Sequence, residues 1–455
     1  MSGEKAMRIR YPRTLGAGAA LVALVTGVMA PATSSASNDT SGAAAAGITL
    51  SVPGQNGSAP FNVATTVIVP RGWQAEVWAR VPGARFEAWS PQGQLLVSDP
   101  GDGEVFELVP RANRALPPLQ RVVLSGLTEP QGLAFDDISG QEVLYVAESN
   151  EVDRYNWGGA GASARRVVVP NLPDQDPSGD DEHRTKTLTI GPDHIVYVNV
   201  GSSSNVDTAD LSWHPPRASI LSFRPDGSDL RVMATGVRNA EGLAVAPDGT
   251  LWAAVNERDD ISYPFHRSFG GYADAFNTWD QSYVNNNPPD ELARITPGRN
   301  LGWPYCDPDA QVPLGGSGSN FDYADMPFVP DAQMNPSGQV FNCNKLARID
   351  RGLPAHSAPL GMTFLEGSKL SAPWNAGAVV AVHGSSDRDP PLPPALLWLP
   401  WSPATDLLGP PVTLMSGFQL ANGSRWGRPV DAVPGPDGAL YVTDDTANAV
   451  YRLVR

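Results

Sequence analysis

His183 stands in the acidic loop "PDQDPSGDDEHRTKTLTIGPD", five residues ahead of the apolar Leu188. Imidazole is the side chain that most readily takes up and gives back a proton near neutrality. Read by itself, a histidine in such a loop is more often a solvated surface group. Arg238 and Asn239 occur in "GVRNAEGLA"; a guanidinium there can hold an anion in its fork or pin a turn. Asp259, Asp260, Asp290 and Glu291 supply oxygen ligands that a hard cation would take, or form a charged rim on an acidic protein. Cys306 and Cys343 are the only cysteines. They are too few for a structural zinc site. In an exported chain they suggest a disulfide across one long loop, with two buried thiols as the alternative.

These residues need a frame, and the chain repeats one. An apolar stretch, a Pro-Asp-Gly-like turn, an alternating strand, a polar loop and another strand recur along it. The copies are "WSPQGQLLVSDPGDGEVFELV" at 89–109, "LAFDDISGQEVLYVAESNEVDRYNW" at 133–157 and "LTIGPDHIVYVNVGS" at 188–202. They continue with "LAVAPDGTLWAAVNERDD" at 243–260, a degenerate "MTFLEGSKLSAPWNAGAVVAVHGSS" at 362–386 and "AVPGPDGALYVTDDTANAVYRLV" at 432–454. An Asp-Gly turn flanked by alternating apolar residues is a strong hairpin signal. One hairpin cannot bury its own apolar face, but a closed ring of them can. The pattern predicts an all-β, six-bladed β-propeller over residues 61–455, with residues 261–355 mostly loop at one face. Within that gap, Asn300 to Tyr305 reads as a rigid turn. Gly302 allows close backbone approach, Pro304 fixes φ and Trp303 buries a large face.

Outside the repeats, Lys5, Arg8, Arg10 and Arg13 precede an apolar run and the small residues Ser34-Ser35-Ala36. Residues 1–36 therefore read as a secretory signal peptide, and residues 37–60 as a disordered leader. The expected product is secreted and not inserted in a membrane. The formal net charge is −16, and loss of the basic leader makes it more acidic. Nucleic acid and anionic membranes are thereby poor partners.

The ordered blocks "GVRNAEGLAVAPDGTLWAAVNERDD", "DELARITPGRNLGWPYC", "LPAHSAPLGMTF", "AVVAVHGSS" and "WGRPVDAVPGPDGALYVTDD" together resemble the soluble pyrroloquinoline-quinone sugar dehydrogenases. The nearest likeness is to the sorbosone dehydrogenase branch, over about residues 65–455. The resemblance implies a six-bladed propeller carrying the quinone and Ca²⁺ at the mouth of its axis. It also implies a small sugar as substrate and an external electron acceptor. His183 falls where the family has its catalytic base, with Glu182 placed to orient the ring. Arg238 and Asn239 match the pair beneath the cofactor, Arg238 stabilising charge on the reduced quinone. Lys186 stands where the family usually has Arg. Arg85, Gln94 and Arg428 match inward-facing positions, and His356, His383 and Arg388 would line the same mouth. The Ca²⁺ would rest largely on backbone carbonyls at Glu257 and Arg258, with Asp259 beside them.

The chain departs from that pattern at Gln131, where His is frequent, and at Glu257, where Gly is usual. It departs again at Ser386-Asp387, where Trp-Asn is usual, and in an aromatic-rich insertion at 261–289. Two other classes fit a six-bladed ring: a calcium-dependent sugar-lactone hydrolase and a non-catalytic propeller that binds glycans or partners. The first needs carboxylate and Asn ligands converging on the axis; the Arg-Asn and Gly-Trp-Pro blocks argue for the dehydrogenase instead.

Overall fold

The computed structural model describes residues 45–54, 56–175, 181–311, 323–385 and 387–455. The signal-peptide segment 1–36 and Ser386 lie outside them.

Each hairpin copy becomes the inner half of a blade, and the six blades close into a propeller. The innermost strands are Glu87–Trp89, Leu133–Ile138, Leu188–Ile190, Asn239–Val245, Pro359–Phe364 and Pro429–Pro434. The turn after each is local chemistry. At "APDG", the Asp248 carboxylate accepts the Thr250 amide at 2.9 Å, and Gly249 takes φ 84°, a conformation that a side chain disfavours. Between neighbouring blades the apolar faces lock together. Ile220 and Ala234 of blade three pack against Leu251, Ala253 and Val255 of blade four. On the other face of blade four, Trp252 and Ala254 meet Met362 and Val380 of blade five. Packing of this kind gives the ring its stability, because no blade covers both of its faces alone.

The ring closes by pairing Gln74–Arg80 antiparallel with Ala449–Val454 in blade six. N-terminal to it, Ala45–Thr49 pairs with Thr66–Pro70. The leader expected to be disordered over 37–60 therefore contains a strand, with Leu50 and Asn56 buried and the Asn56 amide donating to the Val77 carbonyl at 2.8 Å. Backbone pairing and that buried anchor outweigh a composition that reads as disordered. Among the described residues no helix is long and apolar enough to cross a membrane.

The long gap of the fourth blade is less loop than its composition suggests. "DELARI" is blade four's third strand, Asp290–Ile295, paired with Leu251–Asn256, and Ile349–Leu353 is its fourth. Arg299–Asn300 then pairs in parallel with blade three. At the turn that follows, Gly302 adopts φ 100°, and a Cβ there would stand 2.8 Å from the Cys306 carbonyl oxygen. Trp303 is buried.

Cys306 and Cys343 are joined, 37 residues apart, with Cα atoms 5.7 Å from each other. Closing a loop of that length should stabilise the fold by about 3–4 kcal/mol in the chain-entropy account. Replacing both cysteines by Ser should therefore lower the denaturant midpoint of unfolding; an unchanged midpoint would show that the loop needs no brace.

Candidate functional site

In each blade the innermost strand runs antiparallel to the second. Residues leading into the first and leaving the second thus meet at one end of the ring. The pairs Leu188 with Val198, Asn239 with Asn256, Pro359 with Val382 and Pro429 with Asp444 fix that register. Arg85, His183, Arg238, Asn239, His383, Arg388 and Arg428 all fall at this end, the mouth of the axis. Gln94 does not. It lies in the turn between Glu87–Trp89 and Leu95–Asp99, at the opposite end, where its amide donates to the Ser90 hydroxyl. Sequence likeness aligned the strand but not which end of it the residue occupies.

His183 rests on Gly201, where an added Cβ would stand 2.6 Å from the His183 Cβ and 3.1 Å from the Asn239 Oδ1. Its Nδ1 lies 3.0 Å from the Ser202 carbonyl oxygen and 2.9 Å from the Ser202 hydroxyl. That hydroxyl donates to the Ser204 carbonyl at 2.7 Å, so both atoms facing Nδ1 are acceptors. Nδ1 must carry the proton, and Nε2 keeps its lone pair. Glu182 is exposed; Ser202, not Glu182, orients the ring. Burial, then the Arg238 charge, pulls the imidazole down to about 3, so it is neutral at physiological pH.

Arg238 is buried and spends its guanidinium on the mouth wall. It donates to the Glu257 carbonyl at 2.8 Å, to the Asn205 side-chain oxygen at 3.1 Å and to Asp259 Oδ2 at 3.1 Å. Trp303 also reaches this knot, its indole donating to the Asn205 carbonyl at 3.2 Å. The turn Asn300 to Tyr305 is scaffolding tied to the site through Asn205. The other oxygen of Asp259 faces His356 Nδ1 at 3.3 Å, while His356 Nε2 donates to the Val284 carbonyl at 2.9 Å. Burial raises Asp259, but His356 and Arg238 outweigh it and hold the carboxyl below its usual range. Among the described residues, Asp259, His356 and Asp387 bring one ligand atom each within 4.8 Å of one another.

Glu257 and Arg258, expected to offer Ca²⁺ their backbone carbonyls, have buried side chains. Glu257 is buried, its amide held by Asp290 at 2.9 Å, and burial with Glu291 close by raises its carboxyl well above the usual range. Arg258 forms a buried ion pair with Asp331. What Glu257 shows the mouth is its carbonyl, already bonded to Arg238. Asp290 and Glu291, which also read as rim acids, are buried; the second oxygen of Asp290 accepts the Ala358 amide at 2.9 Å, clamping the two mouth loops together. Lys186 is fully buried, donates to the Arg184 carbonyl at 3.0 Å and is not presented to the mouth.

Across the axis, Arg85 bridges Glu241 and Asp445, each at 2.9 Å, with Gln131 Oε1 at 3.4 Å. His383 shares Asp445 at 3.0 Å. Arg428 donates to the His383 carbonyl at 2.9 Å, and Arg388 to the Ala355 carbonyl at 3.3 Å. Arg425, which sequence reasoning passed over, donates to the Ser385 and Leu392 carbonyls. Burial lowers all three of Arg388, Arg425 and Arg428, yet among the described residues none has a carboxylate in ion-pair contact. Cations half out of water without a counter-charge are costly unless an anion completes them. The "SRWGRP" pair of arginines was the available signal for Arg425. Ser202 and Asn205 left none.

The chain is 24% identical over 404 residues to an uncharacterised protein of Borreliella burgdorferi, covering 86% of this chain and 91% of that one. It is 28% identical over 337 residues to the pyrroloquinoline quinone-dependent pyranose dehydrogenase of Coprinopsis cinerea, covering 65% of this chain and 42% of that protein. Among solved structures it is similar to the holo form of that organism's pyranose dehydrogenase PQQ domain. The TM-score is 0.67 at 23% identity, over 86% of this chain and 97% of that one. It is also similar to a calcium structure of the Trichoderma reesei carbohydrate-active enzyme of family AA12. There the TM-score is 0.65 at 20% identity, over 85% and 96%. These likenesses bear out the propeller. The TrAA12-like family model matches residues 67–455, most of the length, and the chain belongs to that family.

Proposed function

We propose that this chain oxidises a sugar hydroxyl or aldehyde hydrate at the axis mouth, with pyrroloquinoline quinone as hydride acceptor and Ca²⁺ beside it. The observation that carries the reading is the group of guanidiniums Arg388, Arg425 and Arg428, which among the described residues have no carboxylate in ion-pair contact, at the mouth of a protein with formal charge −16. A planar cofactor with three carboxylates answers them. Arg238 and Asn239 form the floor, and among the described residues the buried Asn239 Oδ1 has no hydrogen-bond partner. For a hard cation, the carboxylates of Asp259 and Asp387 and the Glu257 carbonyl are suitable oxygens.

Bound there, the quinone would supply an electrophilic carbon that accepts hydride, and Ca²⁺ would polarise its carbonyl. The chain's part is the proton. His183 Nε2 takes it from the sugar hydroxyl while Ser202 holds Nδ1–H in place. The fixed charge of Arg238 stabilises negative charge building on the acceptor. Export to an oxidising compartment accords with the disulfide, and an external acceptor would then collect the electrons.

The experiment is reconstitution with quinone and Ca²⁺, read by thermal melting, absorbance and dye reduction with aldoses. At a hundredfold excess over the dissociation constant, linkage should stabilise the fold by about 2.7 kcal/mol. A melting temperature that does not move with both ligands in excess removes the cofactor from this chain. Lactone hydrolysis without dye reduction would replace the reading by the hydrolase.

A further inference from the structure

We propose that Trp279, on the loop at 261–289, is a stacking platform for a second sugar ring, making the mouth a site for oligosaccharides. The inference rests on the sugar-oxidation reading for its substrate class, but not for its physics.

The loop has a core of its own. Ile261, Tyr263, Ala275 and Tyr283 are buried together with Phe265 and Phe269 packed on them. Tyr263 stacks on Phe269 with centroids 4.4 Å apart and meets Tyr283 edge-on at 5.0 Å. A loop able to bury that many rings nevertheless leaves its largest one out: Trp279 is 52% exposed. Isolated exposed aromatics are ordinary, but this one is held in place. Its indole N–H donates to Asp260 Oδ1 at 3.1 Å, and the next residue, Asp280, caps the short helix Gln281–Val284. That helix is clamped to the mouth at three points. Gln281 donates to the Asp387 carbonyl at 2.7 Å, Asn285 to the Asp389 carbonyl at 2.8 Å, and Val284 accepts from His356 at 2.9 Å.

Asp260 directly follows Asp259, which accepts a hydrogen bond from Arg238 at 3.1 Å. Trp279 thus stands at the rim, one residue pair away from the floor of the proposed site. A pyranose ring presents an apolar C–H face, and a rigid indole face offers it contact area at little entropic cost. The flanking Asp260 and Asp280 carboxylates can accept hydroxyl hydrogens at the ring's edge. A monosaccharide reacting beside His183 would not need this platform; a longer saccharide would lay its next ring there.

Binding of glucose, maltotriose and cellotriose is measured calorimetrically without quinone, so that a failure of oxidation chemistry cannot mask the result. At least one trisaccharide should bind more tightly than glucose. Trp279→Ala should weaken that trisaccharide about tenfold, as loss of one aromatic contact predicts, and leave glucose unchanged. Trp279→Phe, which keeps a ring but not the N–H, should stay near wild type. Trp279→Gln, which keeps bulk without a ring, should match Ala. The proposal is overturned if neither trisaccharide outbinds glucose, if Ala and Gln bind as wild type does, or if Phe loses as much as Ala. Should binding behave as expected while the reconstituted protein turns over nothing, the platform stands and the oxidation reading falls.

Discussion

On the proposed reading, His183→Ala should lower sugar turnover by about 10²–10⁴ while leaving quinone binding largely intact, the effect of losing a positioned general base. The geometry gives the reason. Of the three mouth histidines, His356 has Nδ1 against Asp259 and Nε2 on Val284, and His383 has Nε2 on Asp445. Among the described residues, only His183 of the three combines an anchored Nδ1 with an unengaged Nε2. The pH dependence follows from the direction of its shift. Burial first, and the neighbouring Arg238 charge second, disfavour the imidazolium and bring it down to about 3. A depressed pKa leaves the base competent over a wider range, so kcat/KM should stay level from neutrality into mildly acid buffer. It should fall only well below the ordinary imidazole value. An anionic cofactor nearby would move that limb upward, toward 6.5. Arg238→Ala, by contrast, should weaken cofactor binding and turnover together. If His183→Ala turns over at near the wild-type rate, His183 is not the base and another group takes the proton.

How far the sequence carried depended on whether the signal was local. The hairpins were legible because an Asp-Gly turn and period-two alternation sit within a dozen residues of each other. "DELARI" hid its strand because nearly every residue from Asp290 to Ile295 is buried. A strand covered on both faces shows no alternation, and acids at its start look like rim charge. Ring closure by Gln74–Arg80 was invisible, since its partner lies at the far end of the chain. At the site, the blocks and matching positions of the family resemblance led to His183, Arg238 and Asn239, which the fold does bring together. They misled on partners: Ser202, nineteen residues on from His183, replaced the adjacent Glu182. Gln94 and Lys186 failed differently. Each lies near the right strand, but the turn end and a fully buried side chain keep them from the mouth.

Arg217→Ala should destabilise the fold by about 3–5 kcal/mol, the usual cost of stranding one half of a buried ion pair. It should also reduce turnover without touching substrate. Arg217 is fully buried, with Nη1 2.7 Å from an equally buried Asp181 Oδ2 and Nε 3.8 Å from Asp210. Its guanidinium lies over the Trp213 ring at 4.9 Å. The other oxygen of Asp181 accepts the His183 backbone amide at 3.1 Å, so this pair fixes the loop that presents the base. Lys186, buried nearby, offsets part of the loss. Its ammonium is held down to about 8 by burial, with Arg217 adding to the effect and Asp181 opposing it. Already mostly protonated at neutrality, it holds its proton more firmly once Arg217 is gone and partly answers Asp181, which favours the lower end of the range. A double replacement, Arg217→Met with Asp181→Leu, separates stability from positioning. Exchanging both charges for apolar groups should recover most of the lost stability. Turnover should stay low, because the acceptor for the His183 amide is gone. Denaturant midpoints and steady-state rates on the single and double variants decide it. If turnover returns along with stability in the double variant, Asp181 serves the fold alone and the His183 loop holds its shape without it.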